Sequence, residues 1–90
     1  MDVHRIVDAE LIGPRSLKIT FSNQLIRELD FSEMLTGLLK SIDSDEAFAE
    51  VAVDHQTGTI FWPGGIDLDP EVLAGVATPE TGPAPRLISK

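Results

Sequence analysis

Polar and apolar positions alternate along the first thirty residues. Between Val3 and Ile12, Val3, Val7, Ala9 and Leu11 can share one face while His4, Asp8 and Glu10 take the other, which predicts a strand. Gly13-Pro14 marks a turn. The next segment alternates cleanly, with Leu17, Ile19 and Phe21 on one side and Lys18 and Thr20 on the other. Ser22-Asn23-Gln24 turns the chain again into Leu25-Ile26-Arg27-Glu28-Leu29. Three short strands on tight links predict an antiparallel meander.

The period then lengthens. Phe31, Met34, Leu35, Leu38, Leu39 and Ile42 form one helical stripe, with Asp30 as N-cap and Glu33 placed to complete a capping box. Gly37 weakens the middle of that stripe by about 1 kcal/mol relative to alanine, so a break is expected there. Asp43 or Ser44 can cap a single turn around Glu46-Ala47-Phe48. A hairpin follows, Glu50–Asp54 with Thr59–Trp62, whose loop ends on Gly58 at a position suited to left-handed backbone.

The stretch WPGGIDLDPEVL, Trp62 to Leu73, reads as a strand–turn–helix corner. Pro63 lacks an amide hydrogen and ends the strand, and Gly64-Gly65 permit a sharp turn. Asp69 caps a helix that begins at Pro70, with Glu71 in its first turn and Val72, Leu73 and Val76 set to cover the sheet. The expected fold is therefore α+β: a small curled antiparallel sheet, made of a three-strand meander plus a hairpin, with two or three short helices. Residues 1–77 form its single domain. Residues 78–90 hold three prolines and Gly82 and read as a flexible tail, in which Arg86-Leu87-Ile88 is a short sticky segment at most.

Composition narrows the function classes. With 90 residues the chain buries only about 60% of its unfolded surface, so its stability margin is thin. It contains no cysteine, which leaves neither disulfides nor thiolate metal sites and fits a reducing cytoplasm. No apolar signal core or run long enough to span a bilayer is present, so a membrane location is not expected. Asp and Glu number 15 against 7 Lys and Arg, a net charge of −8. That field repels phosphate backbones and argues against direct nucleic-acid binding. It suits either a basic protein partner or plain solubility.

Reactive constellations are sparse. His4 falls on the expected solvent face of the first strand and His55 in a hairpin loop, with no nucleophile patterned beside either, so no enzyme is expected. Neither histidine has neighbours that would complete a metal site, and no cofactor is expected. The carboxylates Asp54, Asp67, Asp69 and Glu71 are the alternative, a divalent-metal or small-ligand site of clustered oxygens. The calcium-loop spacing fails from Asp67 onward, and Asp69 already has a capping role. Gly64-Gly65 lacks the remaining residues of a phosphate-binding loop. Trp62 is either a core residue, the commoner case, or an exposed anchor for a partner.

Several pieces occur in a recognisable order: Phe21-Ser22, Leu29-Asp30-Phe31-Ser32, the acidic Asp43 to Phe48, Val51-Ala52-Val53-Asp54, Gly58-Thr59-Ile60-Phe61-Trp62-Pro63, and Gly65-Ile66-Asp67-Leu68-Asp69-Pro70-Glu71-Val72-Leu73. Together they resemble the small bacterial family called domain of unknown function 2442, over residues 3 to 75. The resemblance implies a curled antiparallel sheet with short helices and supplies no catalytic residue. Members often look like partners encoded beside another small protein, in arrangements suggestive of toxin–antitoxin pairs. Some relatives carry a following helix-turn-helix domain, for which Thr78 to Lys90 is too short. The family usually has Asn where Gly64 stands, and both residues tolerate left-handed backbone.

These readings converge on a non-catalytic interaction module, an antitoxin-like acidic partner of a small basic protein. Its binding face is expected at an exposed strand edge or at the corner of Trp62, Pro63, Gly65 and Asp67. A homodimer through a strand edge would add burial to so small a core.

Overall fold

A computed structural model describes residues 4–75 and 85–89. Among the described residues, seven strands and a few short helical turns make a strand-rich α+β fold in two antiparallel sheets. The larger sheet has the order β1-β2-β3-β7, from Ile6–Gly13, Ser16–Phe21, Ile26–Asp30 and Arg86–Ser89; the smaller has β4-β5-β6, from Ala52–Asp54, Thr59–Trp62 and Ile66–Leu68.

The expected meander is β1, β2 and β3. In β2 the alternation is realised residue by residue, with Leu17, Ile19 and Phe21 buried and the residues between them half-buried. In β1 the simple alternation fails. The register shifts between Ile6 and Asp8, so Ile6 becomes the buried residue opposite Phe21 and Val7 stands exposed at the slip; Ala9 and Leu11 keep the inner register opposite Ile19 and Leu17, with Leu11 still 44% exposed. A bulge adds one residue to a strand and sends the following side chains to the other face. His4 is accordingly not on a solvent face; its ring meets Phe21 edge-on at 6.0 Å. Val3 lies outside the described residues.

The stripe from Phe31 to Ile42 is two 3-10 turns, Ser32–Met34 and Gly37–Ile42, instead of one helix. Gly37 adopts φ +59° and the preceding Thr36 is extended, which interrupts any continuous ladder. Asp30 does not close a capping box: its Oδ1 accepts from Ser32 N two residues on, at 2.8 Å. Phe31, Met34, Leu35 and Ile42 are nevertheless buried. Periodicity here reports the face that is covered, and i, i+3 spacing serves a 3-10 turn as well as an α-helix.

Ser44 caps the single helical turn α1, Asp45–Phe48, accepting from Ala47 N at 3.1 Å. Arg15 fastens this region to the β1–β2 turn. Its guanidinium donates to Asp43 at 3.0 Å and Asp45 at 2.8 Å, while its carbonyl accepts from Phe31 N at 2.8 Å. Asp69 caps α2, Pro70–Ala74, accepting from Glu71 N at 2.8 Å, and Gly75 ends that helix in the left-handed region. Arg27 on β3 donates to the Leu73 carbonyl at 3.1 Å, which seats α2 against the larger sheet.

Two strands were not foreseen from sequence. The turn Pro63-Gly64-Gly65 returns the chain along β5 before α2 begins, giving β6, with Trp62 opposite Ile66 and Ile60 opposite Leu68. Arg86–Ser89, within the stretch expected as a flexible tail, forms β7 against β3. The remainder of that stretch up to residue 84 lies outside the described residues, as does Val76.

The inner faces of both sheets share one core of Ile6, Leu17, Ile19, Phe21, Leu29, Ile60 and Trp62, closed by Phe31, Phe48 and Leu73 from the short helical segments. The sheets meet where Ile6 N donates to the Gly58 carbonyl at 2.8 Å.

Candidate partner-binding surface

The corner after β5 divides into an inner and an outer part. Trp62 is 0% exposed; its indole Nε1 donates to the Phe48 carbonyl at 2.9 Å, and its ring lies 5.4 Å from Phe48 and 6.4 Å from Phe31. An anchor role is thus corrected to a core role, because a side chain without surface cannot touch a partner. Its amphipathic ring satisfies both of its needs inside, apolar contact and one acceptor. Pro63, Gly64, Gly65 and Asp67 are exposed, and Asp67 sits in register with Phe61 on the outer face of the smaller sheet.

The four carboxylates of the alternative site serve four local purposes. Asp54 Oδ1 accepts from Gln56 N at 3.0 Å and Thr57 N at 3.4 Å, shaping the β4–β5 loop. Asp69 caps α2, Asp67 is on a strand, and Glu71 turns to His4. Among the described residues no group of three or more His, Asp or Glu is gathered in a way that could hold a metal ion. His55 is exposed in its loop, where its carbonyl accepts from Arg5 at 2.7 Å.

Glu71 grips His4 with both oxygens. Oε2 accepts from the His4 backbone N–H at 3.1 Å, and Oε1 lies 3.0 Å from Nδ1. The backbone N–H, and behind it the imidazole, holds the Glu71 carboxyl below its ordinary value of 4.5. Asp30 is held below 3.8 chiefly by the Ser32 backbone N–H. A carboxyl whose folded pKa is depressed adds stability that is fully present above its unfolded pKa and lost as pH falls through the folded one. Stability is therefore expected to be flat in these two groups above 4.5 and to fall below it. In urea melts, Glu71→Gln should lower stability at pH 7 and flatten the acid limb; an acid limb unchanged in slope would remove Glu71 from it.

The feature that sequence reasoning missed is the outer half of β1. Among the described residues this strand is an edge of the larger sheet that pairs within it with β2 alone; at its start the Ile6 N–H is taken by the Gly58 carbonyl, and the edge lies beyond it. Val7, Leu11 and Ile12 are each 42–44% exposed, and Asp8 and Glu10 stand between them, also exposed. Glu10 faces Lys18 across the ladder and Asp8 faces Thr20. The signal was present as a surplus of aliphatic residues in Val7-Asp8-Ala9-Glu10-Leu11-Ile12, which alternation alone assigned to the core.

Among the described residues no helix is long and apolar enough to cross a membrane. No curated protein and no solved structure significantly matches the chain. One family model does match, described as a protein of unknown function (DUF2442), and it covers residues 6–78, from the first residue of β1 to beyond the end of α2. The chain belongs to the DUF2442 family.

Proposed function

We propose that this protein is a non-catalytic interaction module, an antitoxin-like acidic partner that receives an extended segment of a small basic protein along the open edge of β1. One observation carries the reading: an edge strand on which exposed Val7, Leu11 and Ile12 interleave with exposed Asp8 and Glu10. An open edge offers unpaired main-chain donors and acceptors, and adding a strand there satisfies them. Aliphatic side chains supply adhesion, and the carboxylates select a basic strand and raise its association rate. The net charge of −8 favours the same class of partner.

A second copy of this chain fits the edge less well. Self-pairing centred on Ala9 would set Asp8 directly against Glu10 of the other copy, and like charges opposed across strands destabilise the pair.

The test is capture of a partner from the native host at low salt, with the wild-type chain and the double variant D8N/E10Q side by side. Wild type should retain a small basic protein at fixed stoichiometry and release it at high salt. The variant should lose it while melting within a few degrees of wild type, since exposed substitutions typically change stability by about 0.5 kcal/mol or less. Equal capture by both chains would remove β1 from the interface.

A further inference from the structure

We infer that the outer edge of β3 is a second strand-receiving site, and that residues 86–89 occupy it as an exchangeable ligand supplied by the chain itself. The two edges lie on opposite sides of the larger sheet, so this inference and the β1 reading can fail separately.

How β7 is held carries the argument. It pairs antiparallel with β3, Arg86 opposite Asp30, Leu87 opposite Leu29 and Ser89 opposite Glu28, with a slip in register between Glu28 and Leu29. Arg86, Leu87 and Ile88 are 68%, 42% and 51% exposed, and none of them enters the core. In β2, by contrast, half of the six residues are buried. Among the described residues β7 is held by main-chain pairing and by two loose ion pairs from Arg86, 3.8 Å to Asp30 and 3.7 Å to Glu33. An element with little buried apolar surface opens at a small fraction of the global unfolding free energy. The strand beneath it is different: Leu29 is fully buried and β3 is bonded to β2 along its length.

The family match sharpens the point. It ends at residue 78, so β3 and the acidic pair Asp30 and Glu33 belong to the family's domain, whereas the strand covering that edge lies beyond the match. The edge is then a site in its own right, and β7 shows the chemistry it accepts. Its occupant is an extended segment of a partner protein reading Arg–aliphatic–aliphatic, with the guanidinium between Asp30 and Glu33 and the first aliphatic residue across from Leu29. Main-chain bonds give such a segment its hold, and the acidic pair sets its register. Tethering makes β7 a competitor at an effective concentration in the millimolar range, so the partner segment must outbid a ligand already present.

The probe is a synthetic peptide of residues 85–90, titrated into the ¹⁵N-labelled full chain while the amides of Glu28, Leu29 and Asp30 are followed by NMR. In R86E/L87P the resident strand loses its arginine and one main-chain donor and is expected to leave the edge. Peptide should then shift those amides with an apparent affinity at least about tenfold above that for wild type, as expected when the open state is a tenth or less of the wild-type population. The same peptide with Arg→Glu should not bind. Hydrogen exchange on the unmodified wild-type chain is the second arm: amides of 86–89 should exchange at least tenfold faster than those of β2.

Equal affinity for the two proteins, or no binding to a folded variant, would overturn the inference. Protection of 86–89 equal to that of β2, or unfolding of the variant, would do so too by making β7 integral to the core structure. A wild-type dimer in light scattering that the variant abolishes would assign the edge to a second copy of the chain and overturn it as well.

Discussion

Trp62→Ala is expected to remove most of the domain's stability at room temperature. Truncating a fully buried tryptophan costs about 3–5 kcal/mol. A domain of this length is stabilised by roughly 5–13 kcal/mol in all, and its small core places it low in that range. The ring also sits at the junction of three elements, against Phe31 before the first 3-10 turn and Phe48 at the end of α1, so its loss opens a cavity that no single segment can close. Trp62→Phe is the milder truncation. It keeps an aromatic ring but removes the donor to the Phe48 carbonyl, which retains Val51 N–H at 3.3 Å. Because that acceptor keeps a partner, the hydrogen bond accounts for about 1 kcal/mol of the loss and the volume of the missing ring adds to it, so Tm should fall by at least roughly 4–8 °C. Thermal melts by circular dichroism check both variants. A Trp62→Ala protein melting within a few degrees of wild type would mean that the core closes without its largest residue.

The second large effect is expected at Gly58. Its φ is +75°, and a β-carbon there would lie 2.9 Å from Arg5 Cβ and 3.2 Å from Arg5 Cα. Gly64 is the control: its φ is +98° and a β-carbon would meet nothing within 4 Å. Gly64→Ala carries the left-handed penalty alone, about 1–2 kcal/mol. Gly58→Ala carries that penalty and a collision with the main chain of the strand leading into β1, where overpacking adds about 1–3 kcal/mol. The collision falls on the bond that joins the two sheets, Ile6 N to Gly58 O, so the damage cannot be relieved by moving the loop outward. Urea titrations should therefore give a midpoint for Gly58→Ala well below that for Gly64→Ala. Equal midpoints would show that Arg5 moves aside at no cost.

Both glycines, and the corner they frame, were legible because their signals are local. A turn needs positive φ, a cap needs an oxygen two residues from an amide, and a strand with one covered face alternates; Gly64, Asp69 and β2 each state such a need within a few residues. Elements that exist through a neighbour were not legible. Ile66-Asp67-Leu68 is too short to declare itself, and becomes a strand because Ile60 to Trp62 lies beside it. Arg86–Ser89 depends in the same way on β3. The stripe from Phe31 was read for its period, but period records which side is covered, and the backbone beneath it was decided by Gly37 and Thr36.

The candidate surface followed the same division. Sequence named the corner of Trp62, Pro63, Gly65 and Asp67 by its unusual residues, yet its most conspicuous member is wholly internal. The β1 edge consists of ordinary residues in ordinary order. What makes it a surface is its place at the sheet's edge, where Val7 stands out at the slip and Leu11 stays 44% exposed although it lies opposite the buried Leu17, and such a slip depends on the partner strand's register.

The grip of Glu71 on His4 joins residues 67 apart, and Gly58 meets Ile6 across most of the same interval. During synthesis the N-terminal meander therefore emerges with its apolar face uncovered and has to wait for the smaller sheet and α2 before that face can close. Contacts of such long sequence separation slow folding, and exposed strands in the interval invite pairing with other chains. A nascent chain of this protein passes through a period in which an early-arriving binding partner, or a chaperone, can meet strands that the finished domain conceals.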